Sequence, residues 1–446
     1  MDVGVRVPSS APIIYDSALK TSISVVKNKP MNKIMKSGEI LDIQKQMEII
    51  KQGVEEIIPE NELIKKLNYS HKKNIPLRIK YGIDPTASDV HIGHMVPIRI
   101  MRRFQDLGHV GVIVIGDYTA QIGDPTGKNE SRPHLSAEEV KQNAKKYMEQ
   151  LYHVLDKDKT EVRYQSEWFG PMQLSEFISL LGKFTMAQIM AHDTFRRRYE
   201  ESLPFGLHEL MYPILQAYDS VAIKADVELG ATEQKFNILA GRDMQRYFNM
   251  PEQVAVLMPI LIGTDGVEKM SKSLGNYIAI FDSPEDKYGK IMSIPDELIE
   301  NYFLYAAFSS PEEIAAMKKE LEKGINPKLI KQNLARRVVE LYHNKEAAEK
   351  AENHFNTVFT RKEIPDEIPT VNMSQQKIWI VDLLRNNNLS NSGNQAKALI
   401  KQGAVHINGN TISDSSADIE VKNDMIIKVG KRKFLKIKLI KKFRIS

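Results

Sequence analysis

Residues 78–94 read RIKYGIDPTASDVHIGH, and this stretch decides which fold the chain adopts. Its first six residues alternate between polar and apolar side chains as in a β-strand, whereas the following MVPIRIMRRFQDLG carries apolar side chains at helical spacing. His91 and His94 of the HIGH tetrapeptide therefore lie where a helix opens after a strand. Backbone N–H groups and the helix dipole favour an anion such as phosphate at this position. The tetrapeptide alone does not exclude two ordinary polar residues at a helix start.

The alternation of strands and helices continues along the chain. A second strand is predicted at 109–117, a glycine-rich loop at 121–132, a helix from a capping box at 136–139 to about residue 155, and a strand in VRYQSEWF. After a mostly helical insertion over 173–220, the alternation resumes in ADVELG, TEQKFNILAGRDM and EQVAVLMPILIG. This pattern predicts an α/β domain with a doubly wound parallel sheet, which binds ligands at the carboxyl ends of its strands.

The second half of the chain divides into three parts. The last predicted strand leads into a lysine-rich loop, DGVEKMSKSLGN, and residues 283–357 predict an α-helical domain because they are rich in Glu, Lys, Ala and Leu. A polar linker with two prolines is expected over 358–374, before a small unit at 375–446 that ends in a basic tail.

The N-terminal residues 1–34 show no sustained period and lack the apolar core of a secretory signal. We expect them to be disordered, or to result from a start codon assigned too early, with Met31 or Met35 as the true start. An organelle transit peptide is a further interpretation, which Asp2 and Asp16 disfavour.

Composition is that of a soluble globular protein of two to four domains, with 446 residues, 42% hydrophobic and 27% charged. No apolar run is long enough to span a membrane. The absence of cysteine excludes disulfide bonds and thiolate metal sites, and fits a reducing compartment. The last nineteen residues hold nine lysines or arginines and no acidic residue, which indicates either a contact with a polyanion or a solvated tail.

The HIGH tetrapeptide and the KMSKS pentapeptide at 269–273 together identify a protein family more specifically than either motif does alone. His91 and Lys269 lie 178 positions apart (269 minus 91). Their pairing resembles the class I aminoacyl-tRNA synthetases. The stretches KYGIDPTASDVHIGH, IGDPTGK, MYPILQAYDS, VELGATEQKFN and EKMSKS resemble the tyrosyl-tRNA synthetase family and occur in its order. The resemblance covers roughly residues 35 to 440, and KMSKS is typical of the bacterial branch with a C-terminal S4 domain.

This resemblance implies ATP-dependent activation of L-tyrosine to tyrosyl-adenylate, followed by transfer to the terminal ribose of tRNA(Tyr). It implies a Rossmann-like catalytic domain at 35–282 that forms a homodimer through the insertion, an anticodon-arm-binding helical domain at 283–357, and an S4-like α+β RNA-binding domain at 375–446. We expect Mg²⁺ as the counter-ion of ATP, no tightly bound cofactor or protein metal site, no membrane contact and a cytoplasmic location.

The resemblance implies roles for the residues of this chain that match the family's motifs. The expected catalytic residues are Thr86, His91, His94, Lys269, Lys272 and Ser273. The expected ATP-binding residues are Gly82, Asp84, His91, Gly93, His94, Gly230, Glu233 and Lys272. The expected tyrosine-binding residues are Asp124, Tyr212 and Gln216 at the α-ammonium group, Asp219 at the phenolic proton, and Gln234 near the reacting carboxylate. The expected RNA-binding residues are Lys397, Lys401, Lys431, Arg432 and Lys433.

These roles suit the reaction, because negative charge accumulates on the departing pyrophosphate in the transition state and donors that meet this charge accelerate the step. For Asp219 taken alone, a surface carboxylate at a helix end is the alternative interpretation.

Two departures from the family pattern accompany the resemblance. Residues 230–234 read GATEQ where the family usually has Gly-Gly-x-Asp-Gln, so Glu233 replaces the ribose-binding aspartate and an altered ribose contact is expected. Lys80 stands where some tyrosyl enzymes place a second phenol-reading tyrosine, which leaves Asp219 as the main reader of the hydroxyl.

Two alternative functions remain open at the level of the sequence. A tryptophan-specific synthetase is disfavoured by Asp219, because indole offers only a donor N–H. A catalytically impaired RNA-binding paralogue is disfavoured by the intact HIGH and KMSKS motifs, and is supported only by Ala231 and Glu233.

Overall fold

The computed structural model describes residues 42–85, 90–125, 137–360, 368–374, 377–430 and 433–439. The predictions for the N-terminal extension at 1–34, for Thr86, for Lys431 and Arg432, and for most of the glycine-rich loop lie outside these residues.

A six-stranded sheet lies at the centre of the catalytic half. Its strands are β1 (Glu56–Ile58), β2 (Arg78–Ile83), β3 (Val110–Ile115), β4 (Thr160–Tyr164), β5 (Val227–Ala231) and β6 (Val254–Met258), in the order β1-β6-β5-β2-β3-β4. All neighbours are parallel except β1, which is antiparallel to β6. The predicted parallel α/β sheet is confirmed. The short edge strand β1 was not predicted, because its three residues lie between helix-favouring segments.

Eleven helices accompany this sheet within the described residues. They are α1 (Ile43–Lys51), α2 (Glu60–Lys73), α3 (Met95–Asp106), α4 (Thr119–Ile122), α5 (Ala137–Leu151), α6 (Ser166–Phe169), α7 (Leu174–Leu181), α8 (Met186–Met190), α9 (Asp193–Glu200), α10 (Tyr212–Ala222) and α11 (Lys235–Tyr247). A single 3₁₀ turn, Ile92–His94, opens α3 after β2 as the HIGH motif predicts. The helix expected to reach about residue 155 ends at Leu151.

The strand predicted in VRYQSEWF is only partly correct. It ends at Tyr164, and Ser166–Phe169 form α6. Side chains take the backbone N–H groups that a longer strand would donate to its neighbour: Tyr164 N donates to Glu167 Oε1 (2.7 Å) and Ser166 N donates to Asp117 Oδ1 (2.9 Å). The turn carries Gln165 and Trp168 towards α10, which matters for the site described below.

The strand order reverses between β2 and β5, and these strands pair only at Ile79–Val227 and Lys80–Glu228 before they diverge. In a doubly wound sheet such a divergence opens a crevice at the carboxyl ends of the strands, where ligands bind. The HIGH motif follows β2 and the KMSKS loop follows β6, so both lie at this end of the sheet.

The helical domain consists of α12 (Pro284–Met292), α13 (Ile299–Tyr305), α14 (Pro311–Glu322), α15 (Pro327–Tyr342) and α16 (Lys345–Phe355). Ser283, Ser310 and Asn326 cap α12, α14 and α15, each followed by a proline in the first turn. Its apolar core is continuous with Ile92 of the HIGH motif and Met270 of the KMSKS loop. The helical domain therefore supports both signature segments directly.

The C-terminal unit is an α+β fold with its own core. Its elements are β7 (Thr370–Met373), β8 (Lys377–Trp379), α17 (Ile380–Asn386), α18 (Gly393–Lys401), β9 (Val405–Ile407), β10 (Asn410–Thr411), β11 (Asp418–Glu420), β12 (Met425–Val429) and β13 (Lys433–Leu439). Between β9 and β10 the chain turns at Asn408 and Gly409, and both turn residues have positive φ (48° and 85°).

One boundary of this unit differs from the expectation. β7 pairs in parallel with β13, so residues 370–373 belong to the five-stranded C-terminal sheet and not to a linker that extends to 374. The strand is short and its neighbours are polar, and only its pairing distinguishes it from a linker. No helix within the described part of the chain is both long and apolar enough to cross a membrane.

Candidate active site

A cavity of ≈ 420 Å³ lies at the carboxyl ends of β2 and β5 and under the loop that follows β6. The predicted site residues that line it are Gly82, Asp84, His91, Gly93, His94, Asp124, Tyr212, Gln216, Asp219, Gly230, Glu233, Gln234 and Lys269. Residues far apart in the sequence therefore surround one space, as the paired motifs require.

The two histidines of the HIGH motif stack with ring centroids 3.6 Å apart, and the backbone N–H of His91 donates to His94 Nδ1 (3.3 Å). Burial, together with the neighbouring His94 and Lys272, lowers the pKa of His91 to about 2. Burial and Lys272 lower the pKa of His94 to about 4. Both imidazoles are therefore neutral near pH 7, and each can donate one N–H to a phosphate oxygen.

Backbone hydrogen bonds join the HIGH segment to the chain that follows the KMSKS loop. Ile92 N donates to Ile278 O and Ile280 N donates to Val90 O, both at 3.0 Å. A Cβ at Gly93 would lie 3.0 Å from His91 Nδ1, which explains the glycine between the histidines. Main-chain hydrogen bonds thus fix the HIGH segment relative to the chain that leaves the KMSKS loop.

The KMSKS loop is organised by Asn276, a buried residue that the sequence analysis did not single out. Its Oδ1 accepts from Ser271 N (2.8 Å), and its Nδ2 donates to Asp265 Oδ2 (2.7 Å) and Lys269 O (3.1 Å). Met270 is buried, and its N–H donates to Leu261 O (2.9 Å). An amide that closes a polar loop in this manner leaves only a weak sequence signal, the SLGN that follows KMSK.

The first lysine of the loop contacts the residue that departs from the family pattern. Lys269 Nζ lies 2.9 Å from Glu233 Oε2, and both side chains are partly exposed (39% and 42%). An ion pair with this exposure contributes little to stability, so a ligand can displace it at small cost. Ser273 Oγ lies 2.9 Å from Ser271 Oγ on the same loop.

Three aspartates, Asp84, Asp124 and Asp219, lie near the Tyr212 hydroxyl on one side of the cavity. The Tyr212 hydroxyl donates to Asp84 Oδ2 (2.9 Å), and Thr119 Oγ1 donates to Asp84 Oδ1 (2.6 Å). Burial raises the pKa of Tyr212 well above its usual value, and Asp84, Asp124 and Asp219 raise it further. Several carboxylates around one buried hydroxyl suit a bound cation such as an α-ammonium group. Asp84, which we expected to bind ATP, thus contacts a residue expected to bind tyrosine.

Gln234 and Asp124 are directly joined, since Gln234 Nε2 donates to Asp124 Oδ2 (2.6 Å). Gln234 Oε1 in turn accepts from Asn237 Nδ2 (3.0 Å). Gln216 lines the cavity, and its amide donates to Glu228 Oε1 at its floor (3.3 Å).

Asp219 lies on α10 at the deep end of the cavity and is buried, so the alternative of a surface carboxylate is wrong. Gln165 Nε2 donates to its Oδ2 (2.9 Å) and Trp168 Nε1 donates to its Oδ1 (3.1 Å). Burial raises the pKa of Asp219 to about 7, an effect that the Lys80 ammonium group opposes. The sequence analysis missed Gln165 and Trp168, because both fell in a segment predicted to be a strand.

The described RNA-binding candidates lie in the C-terminal unit, outside the cavity. Lys397 and Lys401 lie four residues apart on α18, and Lys397 Nζ is 5.6 Å from the centre of the Trp379 ring. Lys433 Nζ donates to the backbone carbonyls of Asn388 (3.2 Å) and Leu389 (3.3 Å) at the end of α17. Among the residues that the structure describes, no cluster of three or more His, Asp or Glu side chains is arranged to hold a metal ion.

Comparisons with known proteins identify the class of protein first. The family profile for tRNA synthetases class I (W and Y) matches residues 72–360, and the profile for the SYY-like C-terminal domain of tyrosine–tRNA ligase matches residues 361–437. A tyrosyl-tRNA synthetase from Archaeoglobus fulgidus, solved in complex with L-tyrosine, has a similar fold: the TM-score is 0.56 at 21% identity, over 70% of this chain and 100% of that chain.

Curated relatives then identify the particular family. The tyrosine–tRNA ligase of Moorella thermoacetica is 45% identical over 397 residues, which is 89% of this chain and 96% of that protein. The tyrosine–tRNA ligase of Carboxydothermus hydrogenoformans is 47% identical over 403 residues, 89% of this chain and 98% of that protein. The chain belongs to the tyrosine–tRNA ligase family of class I tRNA synthetases.

Proposed function

We propose that the protein joins L-tyrosine to ATP as tyrosyl-adenylate, releases pyrophosphate, and transfers the tyrosyl group to the terminal ribose of tRNA(Tyr). The observation that carries this proposal is the meeting of a neutral histidine pair, a lysine loop and a buried aspartate around one cavity. Such a cavity provides donors for phosphate at one end and an acceptor for a hydroxyl at the other.

Tyrosine lies in this proposal with its phenol at Asp219 and its ammonium group among Asp124, Tyr212 and Gln216. The carboxylate of Asp219 has lone pairs beyond those that accept from Gln165 and Trp168, so it can accept the phenolic O–H as well. Gln234, bonded to Asp124, lies between the ammonium site and the mouth of the cavity, where the tyrosine carboxylate would meet the α-phosphate.

ATP lies across the mouth of the cavity. Its ribose contacts Glu233 beside Gly82 and Gly230, and its phosphates meet His91, His94 and the loop lysines. Glu233 is paired with Lys269. A ribose that binds this carboxylate therefore frees the Lys269 ammonium group for the phosphates. Mg²⁺ accompanies ATP as a phosphate counter-ion. The residues that meet charge formed only in the transition state raise the rate of activation.

The tRNA would bind through the helical domain at its anticodon arm and through the basic C-terminal unit, where Lys397, Lys401 and Lys433 offer phosphate contacts. Such contacts position RNA without reading its sequence.

A homodimer through the insertion at 173–220 is supported by large apolar side chains that this segment exposes. Leu174, Ile178, Met186 and Leu207 are 73%, 59%, 59% and 77% exposed. Apolar exposure of this extent on one segment is typical of an interaction surface. A paired Leu174→Asp and Leu207→Asp substitution should turn a dimer into a monomer by analytical ultracentrifugation, and a monomeric unsubstituted protein would refute the assembly. The proposed location is the cytoplasm.

Amino-acid-dependent exchange of pyrophosphate into ATP tests the chemical proposal. Tyrosine should support exchange, whereas tryptophan and a reaction without amino acid should not. Exchange with tryptophan would support the other specificity on this fold. Normal tRNA binding without any exchange would indicate the RNA-binding paralogue.

A further inference from the structure

A fully buried ion pair lies against helix α10, and its acidic member, Glu228, lines the cavity. Lys80 of β2 and Glu228 of β5 are direct partners across the two strands, at the last pair before these strands diverge. Lys80 Nζ lies 3.0 Å from Glu228 Oε1, and the two side chains are 0% and 1% exposed. Two charges at the bottom of a crevice lose their hydration on folding, so they require compensating partners.

The Lys80 ammonium group has a partner for each of its three hydrogens. Besides Glu228, it donates to the Gln216 carbonyl (2.8 Å) and to Ser220 Oγ (2.8 Å). Gln216 and Ser220 lie one helical turn apart on α10 and flank Asp219 in the sequence. Lys80 therefore ties the turn of α10 that carries Asp219 to the central strand of the sheet.

Glu228 completes the network from the neighbouring strand. Its Oε2 accepts from Ser220 Oγ (3.1 Å) and from Gln253 Nε2, and its Oε1 accepts from Gln216 Nε2 (3.3 Å). Helix α11 closes over this network at Gly241, where a Cβ would lie 2.5 Å from Gln253 Nε2 and 3.0 Å from Ser220 Oγ. The packing leaves no room for the partners to shift away.

We propose that Lys80 and Glu228 are a positioning pair for tyrosine selection: together they fix the turn of α10 that carries Asp219 under the phenol. This inference rests on the proposed function, because it assigns a task to groups beneath the tyrosine site. Glu228 lines the cavity and accepts a hydrogen bond from Gln216, whereas the hydrogens of Lys80 point to Glu228, Gln216 and Ser220. In this proposal the pair acts on tyrosine through the position and charge of Asp219.

The charged groups that face Asp219 act in opposite directions. Lys80 from β2 lowers the pKa of Asp219 and Glu228 from β5 raises it, with the effect of Lys80 being the larger. The other neighbours of Asp219 are the neutral donors Gln165 and Trp168 and the hydroxyl of Tyr212. Loss of Lys80 should therefore raise the pKa of Asp219, and loss of Glu228 should lower it.

The test is the pH dependence of kcat/KM for tyrosine in pyrophosphate exchange, which reports groups of the free enzyme. Relative to the unsubstituted protein, the acid limb should move to higher pH in Lys80→Met and to lower pH in Glu228→Gln. Each unit of displacement changes kcat/KM about tenfold below both midpoints. The double variant should lie between the two single variants and above the unsubstituted protein, because Lys80 has the larger effect.

A matched control is an ion pair between helix α2 and the residue that precedes β5. Lys66 Nζ lies 3.2 Å from Asp226 Oδ1, directly before β5 and at the opposite end from the cavity. Lys66→Met should leave the acid limb in place. Phenylalanine lacks the phenol, so the acid limb of kcat/KM for phenylalanine should stay at the same pH in all variants.

Outcomes separate this inference from the proposed function. Two results would refute the positioning role alone. The first is a shift of the acid limb in the same direction in both single variants. The second is an unchanged acid-limb midpoint in variants that retain the circular dichroism spectrum of the unsubstituted protein. If Lys80→Met does not fold, Glu228→Gln and the double variant still decide, because their midpoints are expected on opposite sides of the unsubstituted one. Absence of tyrosine-dependent exchange in the unsubstituted protein would instead refute the proposed function.

Discussion

Asp219→Ala tests how the protein distinguishes tyrosine from phenylalanine. The two substrates differ by one hydroxyl, and a site built to hydrogen-bond that hydroxyl rejects the analogue that lacks it, a rule for which tyrosyl-tRNA synthetases are the known case. The proposed acceptor in this protein, Asp219, is a buried carboxylate that already accepts from two donors, Gln165 Nε2 and Trp168 Nε1. The substitution should therefore lower tyrosine activation steeply and spare phenylalanine activation.

The expected magnitude follows from the type of hydrogen bond that is lost. A hydrogen bond to a charged group contributes about 1.5–3 kcal/mol, which corresponds to a fall of about 10- to 150-fold in the ratio of kcat/KM for tyrosine to that for phenylalanine. The substitution also leaves the Gln165 and Trp168 donors without their acceptor, and each such buried group costs about 1–3 kcal/mol of folding free energy unless water enters.

The assay is pyrophosphate exchange with each amino acid in turn, with urea unfolding measured on the same preparation. Asp219→Asn serves as the companion variant, because it retains one acceptor oxygen and nearly the same volume. Equal losses of kcat/KM for tyrosine and phenylalanine in a folded Asp219→Ala protein would show that Asp219 does not read the phenol.

Three further outcomes are expected. Lys272→Ala should slow single-turnover activation by about 2–4 kcal/mol at the transition state with tyrosine affinity unchanged, and the reverse pattern would exclude its role at the departing pyrophosphate. Truncation after Ile364 should preserve pyrophosphate exchange and depress tRNA charging, with tRNA binding by the intact chain weakening as salt rises; full charging by the truncated protein would remove the RNA role from the C-terminal unit. The free energy of unfolding should fall as pH drops from 6.5 towards about 4, because His94 gains a proton in the unfolded chain but not in the folded protein. Urea unfolding of His94→Asn should show a smaller loss of stability over this range.

Much of the site could be predicted because sequence spacing maps directly onto its geometry. Tyr212, Gln216 and Asp219 are separated by four and three residues, which places them on one face of a helix, and the structure shows them on α10. A helix start after a strand likewise follows from local pattern, and HIGH lies at one.

The features that could not be predicted from the sequence depend on contacts between segments that are distant in the chain. Lys80 and Glu228 lie on two strands that are far apart in the sequence, and only the register of β2 with β5 shows that they face each other. Gln165 and Trp168 contact Asp219 across more than fifty positions of sequence. Strand β7 joins the C-terminal sheet through pairing with a segment more than sixty residues later. No local period encodes such partners.

The KMSKS loop is fastened at both ends, by Met270 N on Leu261 O and by Ile92 N on Ile278 O. The seven residues between these attachments, 271–277, span at most about 25 Å when extended, and a loop that must return to its base reaches about half as far. Lys272 is therefore confined close to the cavity, at an effective concentration far above that of any dissolved cation for the triphosphate that we propose at its mouth. The entropy of confining that charge is lost once, when the chain folds, so it does not recur in each catalytic cycle.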